Sequence, residues 1–139
     1  MKRTVCVGLS GVVVMGWLAG CGDDGGGAPG TITITASGLT GAQGKLLITE
    51  ARAGANQAAI SCVPITADPF STSAVLEAIV GPTPCEDSSP IALAAGTYDV
   101  LSVVMVGGAA GPEVCARGSA VVDGDVTVAL PAYTAAACP

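Results

Sequence analysis

Histidine is absent from all 139 residues, and aromatic side chains make up only 3% of them. Without histidine there is no Ser-His-Asp or Cys-His nucleophile pair, no imidazole ligand for zinc, and no side chain whose ordinary pKa suits it to act as a base near neutrality. Trp17, Phe70, Tyr98 and Tyr133 are the only aromatic residues. They are too few for a sugar-stacking platform or a surface that stacks single-stranded nucleic acid. Cations are scarce as well, with 5 Lys and Arg against 11 Asp and Glu, a net charge of −6. That balance weighs against nucleic acid as a partner and against electrostatic docking on anionic lipid.

What is present begins with a positive head, Lys2 and Arg3, followed by fourteen mostly apolar residues from Val5 to Leu18, VCVGLSGVVVMGWL. This is the layout of an export signal. As a helix the run would reach only about 21 Å, against about 30 Å for a hydrocarbon layer, and Gly8, Gly11 and Gly16 weaken it further as a permanent span. Leu18-Ala19-Gly20-Cys21 resembles the lipobox of bacterial lipoproteins. The resemblance implies removal of residues 1–20 as a signal peptide, acylation of the Cys21 sulfur and acylation of the new amino terminus. Several acyl chains anchor stably where one binds only marginally. The alternative is an ordinary cleavage site with Cys21 joining a disulfide.

Residues 22–30, GDDGGGAPG, carry no large apolar side chain. Residues 21–30 are therefore expected to form a lipidated cysteine and a flexible tether, which spans roughly 15 to 18 Å root-mean-square. An aspartate directly after the lipidated cysteine resembles the inner-membrane retention signal of enteric lipoproteins. Gly22 stands there instead, which favours the outer membrane of a bacterial cell envelope. Removing residues 1–20 leaves 119 residues with Lys45, Arg52 and Arg117 against all eleven acids, a net charge of −8. That length suits one domain, 31–139, with a modest core. Attachment to the membrane would rest on the acyl chains of Cys21.

Six cysteines divide by position. Cys6 leaves with the signal peptide and Cys21 carries lipid. Cys62, Cys85, Cys115 and Cys138 form an even set in an oxidising compartment and read as two disulfides. Three connectivities are open; Cys62–Cys85 and Cys115–Cys138 are favoured, each pair 23 residues apart. Each would stabilise by about 3 kcal/mol in the chain-entropy model. A four-cysteine zinc site is the rival, but zinc knuckles pair cysteines two to four residues apart, so no metal and no cofactor are expected. Aligning from Cys62 and from Cys115 shows no internal repeat.

The domain opens on strict alternation, TITITA at 31–36, the mark of a half-buried strand. KLLITEA from Lys45 and AAISCVP at 58–64 read as further strands, with RAGANQ turning between them. Residues 65–73 read as irregular. SAVLEAIV at 73–80 allows two helical turns, but its β-branched residues and its neighbours favour a strand. A short strand before Gly96 precedes a long one from Tyr98 to Val106, apolar enough to be central and covered on both sides. VCARGSAVV and DVTVALP flank Asp123-Gly124, a strong two-residue hairpin signal. The expected fold is an all-β antiparallel sandwich of about seven strands. LAAGTYDV at 93–100 resembles the L-x-x-G-x-Y-x-V pattern of transthyretin-like and carboxypeptidase-regulatory-like sandwiches. The resemblance implies that the glycine turns the chain and the tyrosine packs at the start of the next strand.

Carboxylates are the remaining candidates for chemistry. An enzyme would have to gather at least two of Glu86, Asp87, Asp99, Glu113, Asp123 and Asp125 in one pocket. Solvated loop acids are the simpler reading, and no catalytic residue is expected. Asp123-Gly124-Asp125 lacks the D-x-D-x-D-G pattern and distant glutamate of an EF-hand. The glycines at 25–27 precede no helix and no lysine, so they form no phosphate loop. The function expected is a lipid-anchored, non-catalytic binding or structural module, with an unidentified protein or surface ligand held by loops 65–73, 81–90 or 107–113. An accessory subunit of an envelope or secretion complex is the alternative, and a small hydrolase the third.

Overall fold

A computed structural model of the chain describes residues 26–105 and 112–139. The signal segment 1–20, Cys21, the first part of the expected tether and residues 107–111 of the third loop lie outside these described residues. Alternating side chains set the first strand, β1 (Ile32–Leu39). Ile32, Ile34 and Ala36 are buried on one face, and Thr33 and Thr35 are half-buried on the other. The same rule forms β2 (Leu46–Ala53), where Leu47, Thr49 and Ala51 face inward, and β7 (Gly96–Met105), where Tyr98, Val100, Ser102 and Val104 do. The remaining strands are β3 (Asn56–Pro64), β4 (Phe70–Val75), β5 (Ala78–Ile79), β6 (Ser88–Ser89), β8 (Pro112–Val122) and β9 (Val126–Ala129).

These strands form an all-β sandwich. A three-stranded sheet, β4-β1-β9, faces a four-stranded sheet, β3-β2-β7-β8, with β5 and β6 as a small ribbon outside. Every pairing is antiparallel except β1 with β9. The shared core runs from Ile32, Ile34 and Leu39 to Leu47, Val100, Val104 and Val122. β8 turns only small side chains inward at its centre, Ala116, Gly118 and Ala120. A Cβ on Gly118 would lie 3.3 Å from a Val128 methyl, so β9 packs close over it.

Several expectations need correction. Asp123-Gly124 makes no hairpin: β8 pairs with β7, whereas β9 crosses to the other sheet and runs parallel to β1. The inward side chains of the two segments belong to facing layers, and burial outweighed the turn signal. Residues 70–73, expected to be irregular, open β4 instead; its polar side chains fit an edge strand whose outer face is wet. The short strand expected before Gly96 reduces to one backbone bridge, Leu93 with Gly30. β7 is central but covered fully on one face only, and Leu101, Val103 and Met105 are half-buried on the other. Residues 73–80 are extended, as expected, but change sheets midway. Leu76 donates to the Ile32 carbonyl at 2.8 Å, and the next residue, Glu77, exchanges two 2.8 Å bonds with Ile60.

Both disulfides pair as expected, Cys62 with Cys85 and Cys115 with Cys138, at Cα separations of 5.6 and 5.0 Å. Each lies beside a free edge of the four-stranded sheet. On the β3 edge stands the Ile60–Glu77 bridge. On the β8 edge Thr134 exchanges bonds of 3.0 and 2.9 Å with Cys115. Gly54, with φ of 62°, opens the two-residue turn from β2 to β3 in a conformation that suits glycine.

A row of hydroxyls crosses the interior where register partners Ser61, Thr49 and Ser102 align. Thr49 and Ser102 are fully buried and share a 2.7 Å hydrogen bond, and Tyr133 from the tail donates to Ser102 Oγ at 2.8 Å. The buried Ser61 hydroxyl has no partner among the described residues. Ser102→Ala therefore strands two partners and should lower unfolding stability by about 1–3 kcal/mol. Ser61→Ala should leave stability unchanged or raise it by about 1 kcal/mol. Urea denaturation of the two variants checks the contrast.

Candidate functional site

The sequence alone offered acids as chemistry, and the fold disperses most of them. Glu113 pairs with Lys45. Asp87 accepts from the Thr83 amide at 2.9 Å within its own loop, and the neighbouring Glu86 is exposed beside it. Asp123 and Asp125 face the amino-terminal segment. Asp99 alone lines the larger cavity. Among the described residues no three Cys, Asp and Glu side chains gather in a way that could hold a metal ion.

Asp123 and Asp125 hold the root of the domain. The Asp123 carboxylate accepts from the Ala28 amide at 2.9 Å, and the Ala28 carbonyl accepts from the Gly124 amide at 2.7 Å. Asp125 accepts from both the Thr31 amide and the Thr31 hydroxyl, at 2.8 and 2.9 Å. Gly30 lies between them, bonded to Leu93, and a Cβ there would stand 2.0 Å from the Gly124 backbone. Residues 28–30 thus belong to the folded body, and the expected tether 21–30 ends earlier. Gly30 permits this close approach, and holding the segment 28–31 is the role of the acids of Asp123-Gly124-Asp125, which a hairpin turn does not explain.

The larger cavity, about 440 Å³, is a trough on the outer face of the four-stranded sheet. Its walls are Arg52 and Gly54 at the end of β2, Asp99 and Leu101 on β7, Arg117 on β8, and Pro139 from the tail. The register explains the gathering. Arg52 lies opposite Asp99 and Arg117 opposite Leu101, so residues remote in sequence share one face. Neither loop 65–73 nor loop 81–90 contributes a wall among the described residues. Two of the three basic residues of the domain stand here. A smaller cavity of about 200 Å³ lies at the sandwich margin among Ser37–Thr40, Val114 and Tyr133.

The charges in the trough are not equivalent. Arg52 turns along its own strand to Glu50, 2.7 Å away, and Glu50 also accepts from Gln57 at 2.7 Å. Arg117 donates Nε to the Ala137 carbonyl at 2.7 Å, which fixes its guanidinium against the tail. Its terminal nitrogens make no ion pair among the described residues, and neither does the Asp99 carboxylate. One unpaired cationic side chain and one unpaired anionic side chain are left facing a space in the size range of small-molecule sites.

In comparisons with known protein families, with curated proteins and with solved structures, the chain has no match. The functional reading therefore rests on the sequence motifs and this geometry.

The two hydrogen bonds from Thr31, the backbone one foremost, hold the Asp125 carboxyl below its ordinary value of 3.8. A carboxyl depressed in the folded state contributes stability above its unfolded pKa and loses that contribution as pH falls through the folded value. Wild-type stability should decline as pH drops from about 4, and Asp125→Asn should remove part of that decline. Urea midpoints measured against pH for both proteins test this.

Proposed function

We propose that this protein is a lipid-anchored, non-catalytic binding module of the bacterial cell envelope. Cys21 carries the acyl chains, and Gly22 after it favours the outer membrane. The observation that carries the reading is the succession from Leu18-Ala19-Gly20-Cys21 to the folded body. The chain is fastened from Ala28 onward to Asp123, Gly124 and Asp125. A fastened root transmits the position of the anchor to a rigid body, so the sandwich is presented close to the membrane surface.

Two further features support binding rather than catalysis. Neither cavity gathers two of the candidate acids, and Asp99 is the only one of them to line either. All four cysteines of the domain are in disulfides, so they offer no thiolate nucleophile.

Metabolic labelling with palmitate, followed by membrane fractionation, tests the anchor. Wild-type protein should incorporate label and sediment with membranes until detergent is added. Cys21→Ser should lose both properties while keeping its two disulfides. An unlabelled wild-type protein, or a membrane-bound Cys21→Ser variant, would overturn the reading.

A further inference from the structure

Resting on the binding-module reading, we infer that the outer-sheet trough is a site for a zwitterionic group, its anion held by Arg117 and its ammonium by Asp99. The opposed charges point to this class of ligand. Lys45 is neutralised by Glu113, and Arg52 by Glu50. That leaves Arg117 and Asp99 as the two charged side chains of the trough without an ion-pair partner among the described residues. They occupy diagonal positions on neighbouring strands, Asp99 one pleat from Leu101, which is the register partner of Arg117. Diagonal neighbours stand about 7–8 Å apart, room for a small ligand group between two side-chain ends.

Their failure to pair with each other has a visible cause. The Arg117 Nε is held by the Ala137 carbonyl, and Ala137 is next to Cys138, whose disulfide returns to Cys115 on the strand that carries Arg117. The guanidinium is anchored at one corner and keeps its terminal N–H groups for a carboxylate or phosphate, which a planar fork matches well. Asp99 loses its opposite neighbour because Arg52 is taken by Glu50 and Gln57 holds the other Glu50 oxygen. Leu101 gives the trough an apolar side chain between the two charges.

The overall charge selects against simpler anions. A net charge of −8 on residues 21–139 repels polyanions at long range, and the Asp99 carboxylate repels a lone anion at short range. A ligand that brings its own ammonium answers both. The trough lies toward the end of β7 that begins at Gly96, the end at which Leu93 and the 123–125 loop hold the root. Two sources of the same chemistry are thus within reach: a soluble amino acid or short peptide with free termini, and an ethanolamine-phosphate headgroup of the membrane.

Equilibrium dialysis of the detergent-extracted, full-length processed protein tests the site with two radiolabelled probes, L-alanyl-L-alanine and glycerophosphoethanolamine. We expect saturable binding of at least one probe at one per chain. N-acetylation of that probe should abolish it. Arg117→Gln and Asp99→Asn should each weaken it at least about tenfold, while Lys45→Gln leaves it unchanged. Preference for the dipeptide assigns a soluble ligand, and preference for the glycerophosphate assigns a headgroup. Binding of neither probe, equal binding of the acetylated probe, or indifference to both trough substitutions overturns the proposal. The acyl mass of the same preparation reads the anchor separately, so loss of the ligand assignment is distinguishable from loss of the binding-module reading.

Discussion

The outer strands of the four-stranded sheet, β3 and β8, each end in a row of backbone N–H and C=O groups with no full strand beyond. Covering those two edges is the constraint around which the molecule is arranged. Both are covered in the same way. A strand at the margin of the three-stranded sheet continues past its last pairing and drops across the side of the sandwich. It makes one two-bond bridge to the exposed edge and is then tied by a disulfide. β4 does this through Glu77 and Cys85 onto β3, and β9 through Thr134 and Cys138 onto β8. An uncovered edge is a template for unwanted pairing. A single bridge is too weak to hold a segment against its own chain entropy. The covalent bond removes much of that entropy from the unfolded chain, by about 3 kcal/mol for loops of this length.

The same wrapping builds the site. As the tail rounds the β8 edge, Tyr133 turns inward to the Ser102 hydroxyl and Cys138 turns outward to Cys115. Burial pushes the Tyr133 hydroxyl above its ordinary 10.0, partly offset by its bond to Ser102, so the neutral donor persists throughout the physiological range. Between those two fixed points Ala137 meets Arg117 and orients it. Edge protection, tail order and the direction of the one unpaired guanidinium in the trough are consequences of one covalent closure. At the opposite end of β8, the Asp123–Asp125 loop fixes where the chain joins the body. The root of the domain and the trough are thus referred to the same strand.

Much of this could be read from the residues. β1, β2 and β7 announce themselves by alternation, and the even cysteine set, in its equally spaced pairs, gave the observed connectivity. What could not be read depends on distance in sequence. FSTSAV carries too little apolar signal to mark β4, because an edge strand with a wet face needs few buried side chains. Asp123-Gly124 carries a strong local turn signal, yet Val128 had to fill the space over Gly118 in the other layer, and the tertiary demand prevailed. The trough was invisible for a related reason. Arg52, Asp99 and Arg117 belong to three strands and meet only through a register that no short motif encodes. Sequence reasoning sought a site in loops and paired acids, whereas the scarcity of basic residues was the better signal, since two of three stand together.

Native-state hydrogen exchange of the full-length protein, oxidised and reduced, would decide whether the edge closures organise the molecule. Amides of Ile60, Glu77, Cys115 and Thr134 should be protected in the oxidised protein. On reduction they should exchange freely, while those of central β2 and β7 remain slow. Unchanged protection of the four bridging amides after reduction would contradict this, as would simultaneous loss across the whole sheet.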